Sequence, residues 1–154
     1  MESFETLLTA HRGILYKVCN SYCPNADDRE DLAQEIAIQL WKNFNRFDGR
    51  VKFSTWMYRV ALNVAISFHR RERARTRHIG EALLDSPDPG ANHTESQARL
   101  KEFIDALNPL DKALVLLYLD GFNYAEIGEV LGISESNAVT KLNRIKKGAT
   151  NDRS

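Results

Sequence analysis

The residues best suited to chemistry in this 154-residue chain are cations and aromatics rather than nucleophiles. Between positions 50 and 78 there are 8 Lys/Arg and only 1 acidic residue, Glu72. Phe53, Trp56 and Tyr58 are interleaved with Arg50, Lys52 and Arg59. Aromatic rings among cations suit unpaired bases, which stack on the rings while the charges hold the backbone. Further on, Arg59, Asn63, Ile66, Arg70, Arg73 and Arg77 step by 4, 3, 4, 3 and 4. On a helix this spacing aligns guanidinium groups on one side over about five turns, a track for phosphates. Met57, Val60, Ala61, Val64 and Phe68 form the complementary apolar stripe. The competing reading keeps Phe53 and Trp56 in a core and leaves the arginines to solubilise the helix.

A second constellation lies near the end of the chain. Asn137, Thr140, Lys141 and Arg144 fall at i, i+3, i+4 and i+7, while Ala138, Leu142 and Ile145 fall on another face. Asn and Arg can make paired hydrogen bonds to base edges, and Lys and Thr can hold phosphate. Glu135 and Ser136 stand at the start of the same helix, where such helices meet bases. A solvated face on an ordinary helical hairpin is the alternative.

Asp31, Gln34 and Glu35 make a third, acidic face. It should repel DNA and could dock a basic protein surface; a solvated surface is the simpler account. Cys19 and Cys23 are spaced i, i+4, with only His11 among the four histidines near them. A metal site would require more ligands, so no metal and no cofactor are expected, and the cysteines are read as structural or incidental.

The elements that must position these groups are helical almost throughout, because apolar residues recur at helical spacing and no strand alternation is found. One helix is expected from about Phe4 to Tyr22. A second starts in the acidic run Asp27 to Asp31 and carries Leu32, Ile36, Leu40, Trp41 and Phe44 on one side, fading near Gly49. A third begins after a Ser54 or Thr55 cap and reaches about His78. The segment Ser86-Pro-Asp-Pro-Gly-Ala-Asn-His93 is polar and reads as a flexible linker. Beyond it, Leu100, Phe103, Ile104 and Leu107 form an amphipathic stripe. Asn108-Pro109 caps and starts the next helix, which ends near Gly121. Asn123 with Glu126 resembles a capping box for a short helix to Leu131. Gly132-Ile133-Ser134 makes a turn, and Ser134 caps a last helix to about Lys147. Short helix, glycine-bearing turn and capped second helix is a helix-turn-helix layout. The fold class is therefore all-α, two small helical domains at 1–80 and 97–150, joined by a linker at 81–96.

The net charge of zero conceals strong segregation. Residues 1–49 are net −3, residues 50–78 net +7, residues 79–136 net −8 and residues 137–154 net +4. Acidic stretches beside each basic island are expected to weaken binding of the isolated chain to DNA. The N-terminus lacks a signal-peptide layout and no apolar run approaches a membrane span, which points to the cytoplasm and against membrane insertion.

Two runs now carry a family pattern. Asp28-Arg-Glu-Asp-Leu-Ala-Gln-Glu35, followed by Phe53-Ser-Thr-Trp-Met-Tyr-Arg-Val-Ala-Leu-Asn63 and the Arg-rich helix, resembles region 2 of bacterial sigma factors. Leu107-Asn-Pro-Leu-Asp-Lys-Ala113, with Tyr118-Leu-Asp-Gly-Phe-Asn-Tyr-Ala-Glu-Ile-Gly-Glu-Val-Leu-Gly-Ile-Ser134, resembles region 4. Together they are similar to the compact extracytoplasmic-function (ECF) group of the sigma-70 family. The resemblance implies core RNA polymerase, promoter DNA (duplex and melted strand) and an anti-sigma factor as partners, with no small-molecule substrate. It implies that Asp31, Gln34 and Glu35 dock on the largest polymerase subunit. It assigns Lys52, Phe53, Trp56, Arg59, Asn63, Arg70 and Arg73 to the −10 element and its melting. The −35 element falls to Glu135, Ser136, Asn137, Thr140, Lys141 and Arg144. The chain departs from the pattern at Ser67, where relatives often carry an acidic residue, and in the recognition run Ser136-Asn-Ala-Val-Thr-Lys141.

A stand-alone helix-turn-helix regulator would explain residues 95–150 but leave the first aromatic-basic stretch without a task. A nuclease would require clustered metal-binding carboxylates or a nucleophile with its base, and the acidic residues stand instead at helix starts and in the linker. No catalytic residue is expected. An interaction-only regulator, such as an anti-sigma protein, leaves both DNA-like faces unexplained.

Overall fold

The computed structural model describes residues 3–79 and 95–151, which form two compact units, Met1–Ala91 and Asn92–Ser154. Among the described residues there are eight α-helices, one short 3-10 turn and no strand. The Ser86–His93 linker and the side chain of Arg77 lie outside them.

In the first unit, α1 (Phe4–Ala10) and α2 (Arg12–Tyr22) replace the single helix expected over this stretch. The break falls at His11, whose backbone leaves helical values at φ −112° and ψ 18°. The His11 N–H donates to the Leu7 carbonyl at 3.1 Å, and its Nδ1 lies 2.9 Å from the same oxygen. The change of direction lets Phe4 reach Trp41 and Phe44, with ring centroids 5.4 and 5.1 Å away, while Ile14, Val18, Cys19 and Tyr22 stay inward.

Helix α3 (Ala26–Asn43) opens on Asn25, whose side-chain oxygen accepts from the Asp28 N–H at 2.7 Å. Asp27 and Asp28 in the first turn oppose the positive end of the helix dipole. A 3-10 turn, Phe44–Arg46, closes it. Leu32, Ile36 and Leu40 are fully buried, as their four-residue spacing requires, but Trp41 is 65% exposed. One residue past Leu40 is about 100° further round the helix, which carries Trp41 off the buried row.

Helix α4 (Phe53–Ile79) starts one residue before the earliest expected cap, with the Trp56 N–H donating to the Lys52 carbonyl at 3.1 Å. Thr55 is buried rather than capping. Met57, Tyr58, Ala61, Leu62, Ala65 and Phe68 are its buried face, packed on α2 and α3, whereas Val60 and Val64 are only half-buried. Each large side chain withdrawn there contributes about 1.5–3 kcal/mol.

In the second unit, α5 (Glu95–Asp105) begins inside the stretch expected to be linker and buries none of its residues completely. Helix α6 (Pro109–Leu119) starts on Asn108, whose side-chain oxygen accepts from the Asp111 N–H at 2.9 Å, and buries every residue from 111 to 117. Helix α7 (Tyr124–Leu131) carries the expected capping box: the Glu126 N–H donates to Asn123 at 2.8 Å, and the Asn123 N–H to Glu126 at 2.9 Å. Gly132 ends it at φ 73°, a conformation that favours glycine. Helix α8 (Glu135–Asn151) starts on Ser134, whose hydroxyl accepts from the Asn137 N–H at 3.1 Å, and continues past Lys147. Ala138, Leu142 and Ile145 face inward, as their spacing predicts.

Gly128 is where this turn is tightest, because a Cβ there would stand 2.6 Å from the Ile133 carbonyl oxygen. Gly128→Ala should therefore destabilise the second unit by about 1–3 kcal/mol. Urea unfolding of the full chain followed by circular dichroism would measure this, and an unchanged transition would show that the turn yields freely. In the first unit, burial pushes the Cys19 thiol up to about 11 and the Cys23 thiol up to about 12, with the Arg29 guanidinium opposing in both cases. Both thiols are free, buried and protonated at neutral pH. A disulfide-exchange reagent at pH 8 should label them at a rate that tracks unfolding, and rapid labelling of the native chain would contradict this.

Candidate nucleic-acid interface

The buried face of α4 decides where its polar face points. Arg59, Asn63, Arg70 and Arg73 are exposed and Ile66 is half-exposed on the far side from the core, and Lys52 is exposed just before the helix. Arg59, Arg70 and Arg73 have no carboxylate partner among the described residues. The arginines off this row do: Arg71 holds Glu35 through two contacts of 2.7 and 2.9 Å, and Arg75 holds Glu72 at 3.1 Å. In the preceding loop Arg50 pairs with Asp48 at 3.1 Å.

The aromatic residues divide. Phe53 is only 6% exposed, its ring 5.0 Å from His11, 5.6 Å from Phe47 and 5.5 Å from Trp56. Tyr58 is fully buried. Both are packed into the core of the first unit rather than set outward among the cations, which for Phe53 is where the competing reading places it. Trp56 stands at the margin, half-buried, with Phe47 at 5.4 Å and Phe44 at 6.2 Å.

On α3, Asp31 and Gln34 are exposed, while Glu35 is half-buried and engaged by Arg71. Sequence reasoning missed Ile38 and misassigned Trp41, which are 50% and 65% exposed. Residues 31, 34, 38 and 41 step by 3, 4 and 3, so they share one side of the helix. That spacing was available in the sequence, but a large apolar residue beside Leu40 reads as core. Between α3 and α4 lies a cleft of about 460 Å³ whose walls include Glu35, Ile38, Asn63, Ser67 and Arg71.

In the second unit Glu135, Ser136, Asn137, Thr140 and Arg144 are exposed and Lys141 is half-buried. The Thr140 hydroxyl donates to the Ser136 carbonyl at 3.0 Å, so outwardly it offers a methyl group and an acceptor. Arg144 Nη2 lies 3.5 Å from each carboxylate oxygen of Asp111 on α6. The sequence also gave no sign of Lys146, whose Nζ sits 4.2 Å from the Tyr118 ring centroid and 3.4 Å from the Tyr124 hydroxyl. Hydrogen bonding to Tyr118 raises the Lys146 pKa above its ordinary value, so this cation stays charged.

Among the described residues no helix is long and apolar enough to cross a membrane, and no group of three or more His, Cys, Asp or Glu is placed to hold a metal ion. The arrangement offers cationic and hydrogen-bonding groups on exposed helical faces, which is what binding along a polyanion requires.

Comparison with known proteins agrees with this chemistry. Residues 7–75 match the family Sigma-70 region 2, and residues 97–147 match Sigma-70, region 4. The chain is 27% identical to the ECF RNA polymerase sigma factor SigW of Bacillus subtilis, over 93% of this chain and 84% of that protein. It is 26% identical to the ECF RNA polymerase sigma factor SigX of the same organism, over 93% and 79%. Among solved structures, the fold is similar to the sigma factor RpoE in complex with the anti-sigma factor NepR from Bartonella quintana. That match has a TM-score of 0.73 and 17% identity, covering 96% of this chain and 94% of that one. It is also similar to CnrH in complex with the cytosolic domain of CnrY, with a TM-score of 0.67 and 21% identity over 96% and 84%. Two family matches that together span most of the sequence, in the order of its two helical units, establish that the chain belongs to the sigma-70 family as an ECF-type RNA polymerase sigma factor.

Proposed function

We propose that the exposed side of α3, with Asp31, Gln34, Ile38 and Trp41, docks on core RNA polymerase. The unpaired arginine row of α4 with Lys52, Asn63 and Trp56 then holds and opens the −10 element, while the start of α8 reads the −35 element as duplex. The observation that carries this reading is the division among the arginines of α4. Those on the outward row are exposed without a carboxylate partner among the described residues, whereas Arg71 and Arg75 are neutralised. Unneutralised guanidinium groups in register release counterions from phosphate, and ion-paired ones release fewer.

Docking through α3 draws on a different chemistry. Trp41 and Ile38 supply an apolar anchor and Asp31 and Gln34 a polar rim, the composition of a protein interface rather than of a DNA one. Glu35 serves this surface indirectly, as the carboxylate that Arg71 holds. On this reading the protein is a cytoplasmic binding factor and not an enzyme, since its polar groups are spread along helices instead of converging on a reacting atom. An anti-sigma factor is a further proposed partner, supported by the complex in which the similar sigma factor RpoE was solved.

Separating the surfaces tests the assignment. Arg70→Ala with Arg73→Ala should lower open-complex formation by roughly tenfold or more at physiological salt while leaving affinity for core polymerase unchanged. Asp31→Ala with Trp41→Ala should weaken holoenzyme assembly by a similar factor. Fluorescence anisotropy for assembly and abortive transcription for opening would read the two, and equal damage to both by either pair would sink the division. The aromatic pair makes a second contrast. Phe53→Ala should cost about 3–5 kcal/mol of stability as a core deletion. Trp56→Ala should cost less, yet reduce permanganate reactivity of the melted strand; unaltered melting would remove Trp56 from the DNA-contacting set.

A further inference from the structure

The contact between Arg144 and Asp111 joins two elements that are 33 residues apart in sequence, and its partners are unequally free. The Arg144 side chain is 64% exposed and the Asp111 side chain 12%. Asp111 is held where it stands: its N–H donates to the Asn108 side-chain oxygen at 2.9 Å, and Asn108 Nδ2 donates back to its carboxylate at 3.1 Å. It also lies in the first turn of α6, where the helix dipole favours a negative charge. The carboxylate is therefore a fixed post, and the arginine is the arm that leans on it.

Only Nη2 of Arg144 touches that post, at 3.5 Å from both oxygens, the outer edge of hydrogen-bond range. Reading a guanine requires two guanidinium N–H groups presented in parallel to O6 and N7, and a long free side chain loses rotamer entropy in achieving this. A carboxylate that restrains one nitrogen loosely leaves the other donors available and reduces that loss.

We propose that Asp111 is a positioning residue that orients the Arg144 guanidinium toward a base edge, so that it sets −35 specificity without touching DNA. The inference rests on α8 being the duplex-reading helix. It makes an unusual demand, because a carboxylate near DNA should by simple electrostatics oppose binding. Removing its charge should then strengthen binding to every sequence, whereas removing a positioning group should weaken binding to the correct sequence alone.

The test uses holoenzyme reconstituted with core polymerase. Its probes are duplex promoter fragments from start sites that this holoenzyme uses on genomic DNA, with each −35 base pair changed in turn. Asp111→Asn should lower the ratio of matched to mismatched affinity by roughly tenfold at one base pair, with mismatched affinity unchanged or slightly raised. Arg144→Ala should lose discrimination at the same base pair, and Asp111→Asn should add nothing in that background. Arg144 is exposed, so its variant reports on discrimination even if Asp111→Asn folds poorly. An equal gain in affinity for all fragments on Asp111→Asn would show a merely repulsive carboxylate and overturn the proposal. A lowered melting temperature with an unchanged ratio would overturn it in favour of a helix-start role. A wild-type holoenzyme indifferent to every −35 substitution would instead overturn the reading of α8, and the inference with it.

Discussion

The packing of α4 against α2 and α3 fixes what the first unit can offer to any partner. Six side chains of this helix, from Met57 to Phe68, are withdrawn almost completely from solvent, and their spacing leaves a single direction for the opposite face. A helix rotated by one residue would expose part of this core and turn Arg59, Arg70 and Arg73 toward α3 instead of away from it. The orientation of the cationic row is thus set by apolar burial rather than by the arginines themselves. The same packing supplies a sheltered flank, where Glu35 and Arg71 meet across α3 and α4. That ion pair is partly exposed and adds on the order of 0–1 kcal/mol at most, so its consequence is electrostatic rather than structural. It removes one free cation from α4 and one free carboxylate from α3.

The second unit reaches a comparable result through its helix ends. Asn108, Asn123 and Ser134 each satisfy a backbone N–H that the first turn of a helix would otherwise leave without a partner. Gly132 and the backbone approach at Gly128 bring α8 back across α7 within a short turn. With Ala138, Leu142 and Ile145 buried against α6 and α7, the stripe from Asn137 to Arg144 has little choice of direction. Caps in this unit therefore do for α8 what core volume does for α4.

This difference accounts for what could be read from the sequence. The three caps of the second unit, the helix-turn-helix and the inward stripe of α8 are local patterns of three to seven residues, legible without knowledge of the neighbouring helices. Phe53 and Trp41, one buried and one exposed, are both large aromatics beside a buried row. For such a residue, spacing leaves a choice between core and rim that only the neighbouring helices resolve. Phe53 turned inward because His11 and Phe47 are there to receive it. Trp41 stays 65% exposed even with the Phe4 ring 5.4 Å away, because it lies one residue round the helix from the buried row. The break at His11 belongs to the same class, since Phe4 before it packs on Trp41 and Phe44, which lie 30 and 33 residues beyond the break. The pairs Glu35–Arg71 and Asp111–Arg144 were beyond local reading altogether, because their members are 36 and 33 residues apart.

Those two long-range pairs also refine the meaning of a net charge of zero. Blocks of opposite sign along the chain indicate that charges oppose one another but not which cations are spent. In the folded units the neutralised guanidinium groups are specific ones: Arg50 in the loop before α4, Arg71 and Arg75 on α4, Arg99 on α5 and, more loosely, Arg144 on α8. The salt-dependent part of DNA affinity depends on the number of phosphates a surface can neutralise in register, so an arginine held by a carboxylate counts for less than a bare one. Each unit consequently keeps a short cationic row instead of a broad basic patch, and a short row binds weakly by itself at physiological salt. Such surfaces become effective when a third body holds them at fixed positions along one DNA molecule, because binding at the second site is then intramolecular. On the proposed assignment, in which α3 docks on polymerase and each cationic row holds DNA only weakly alone, selectivity is built into the requirement for polymerase.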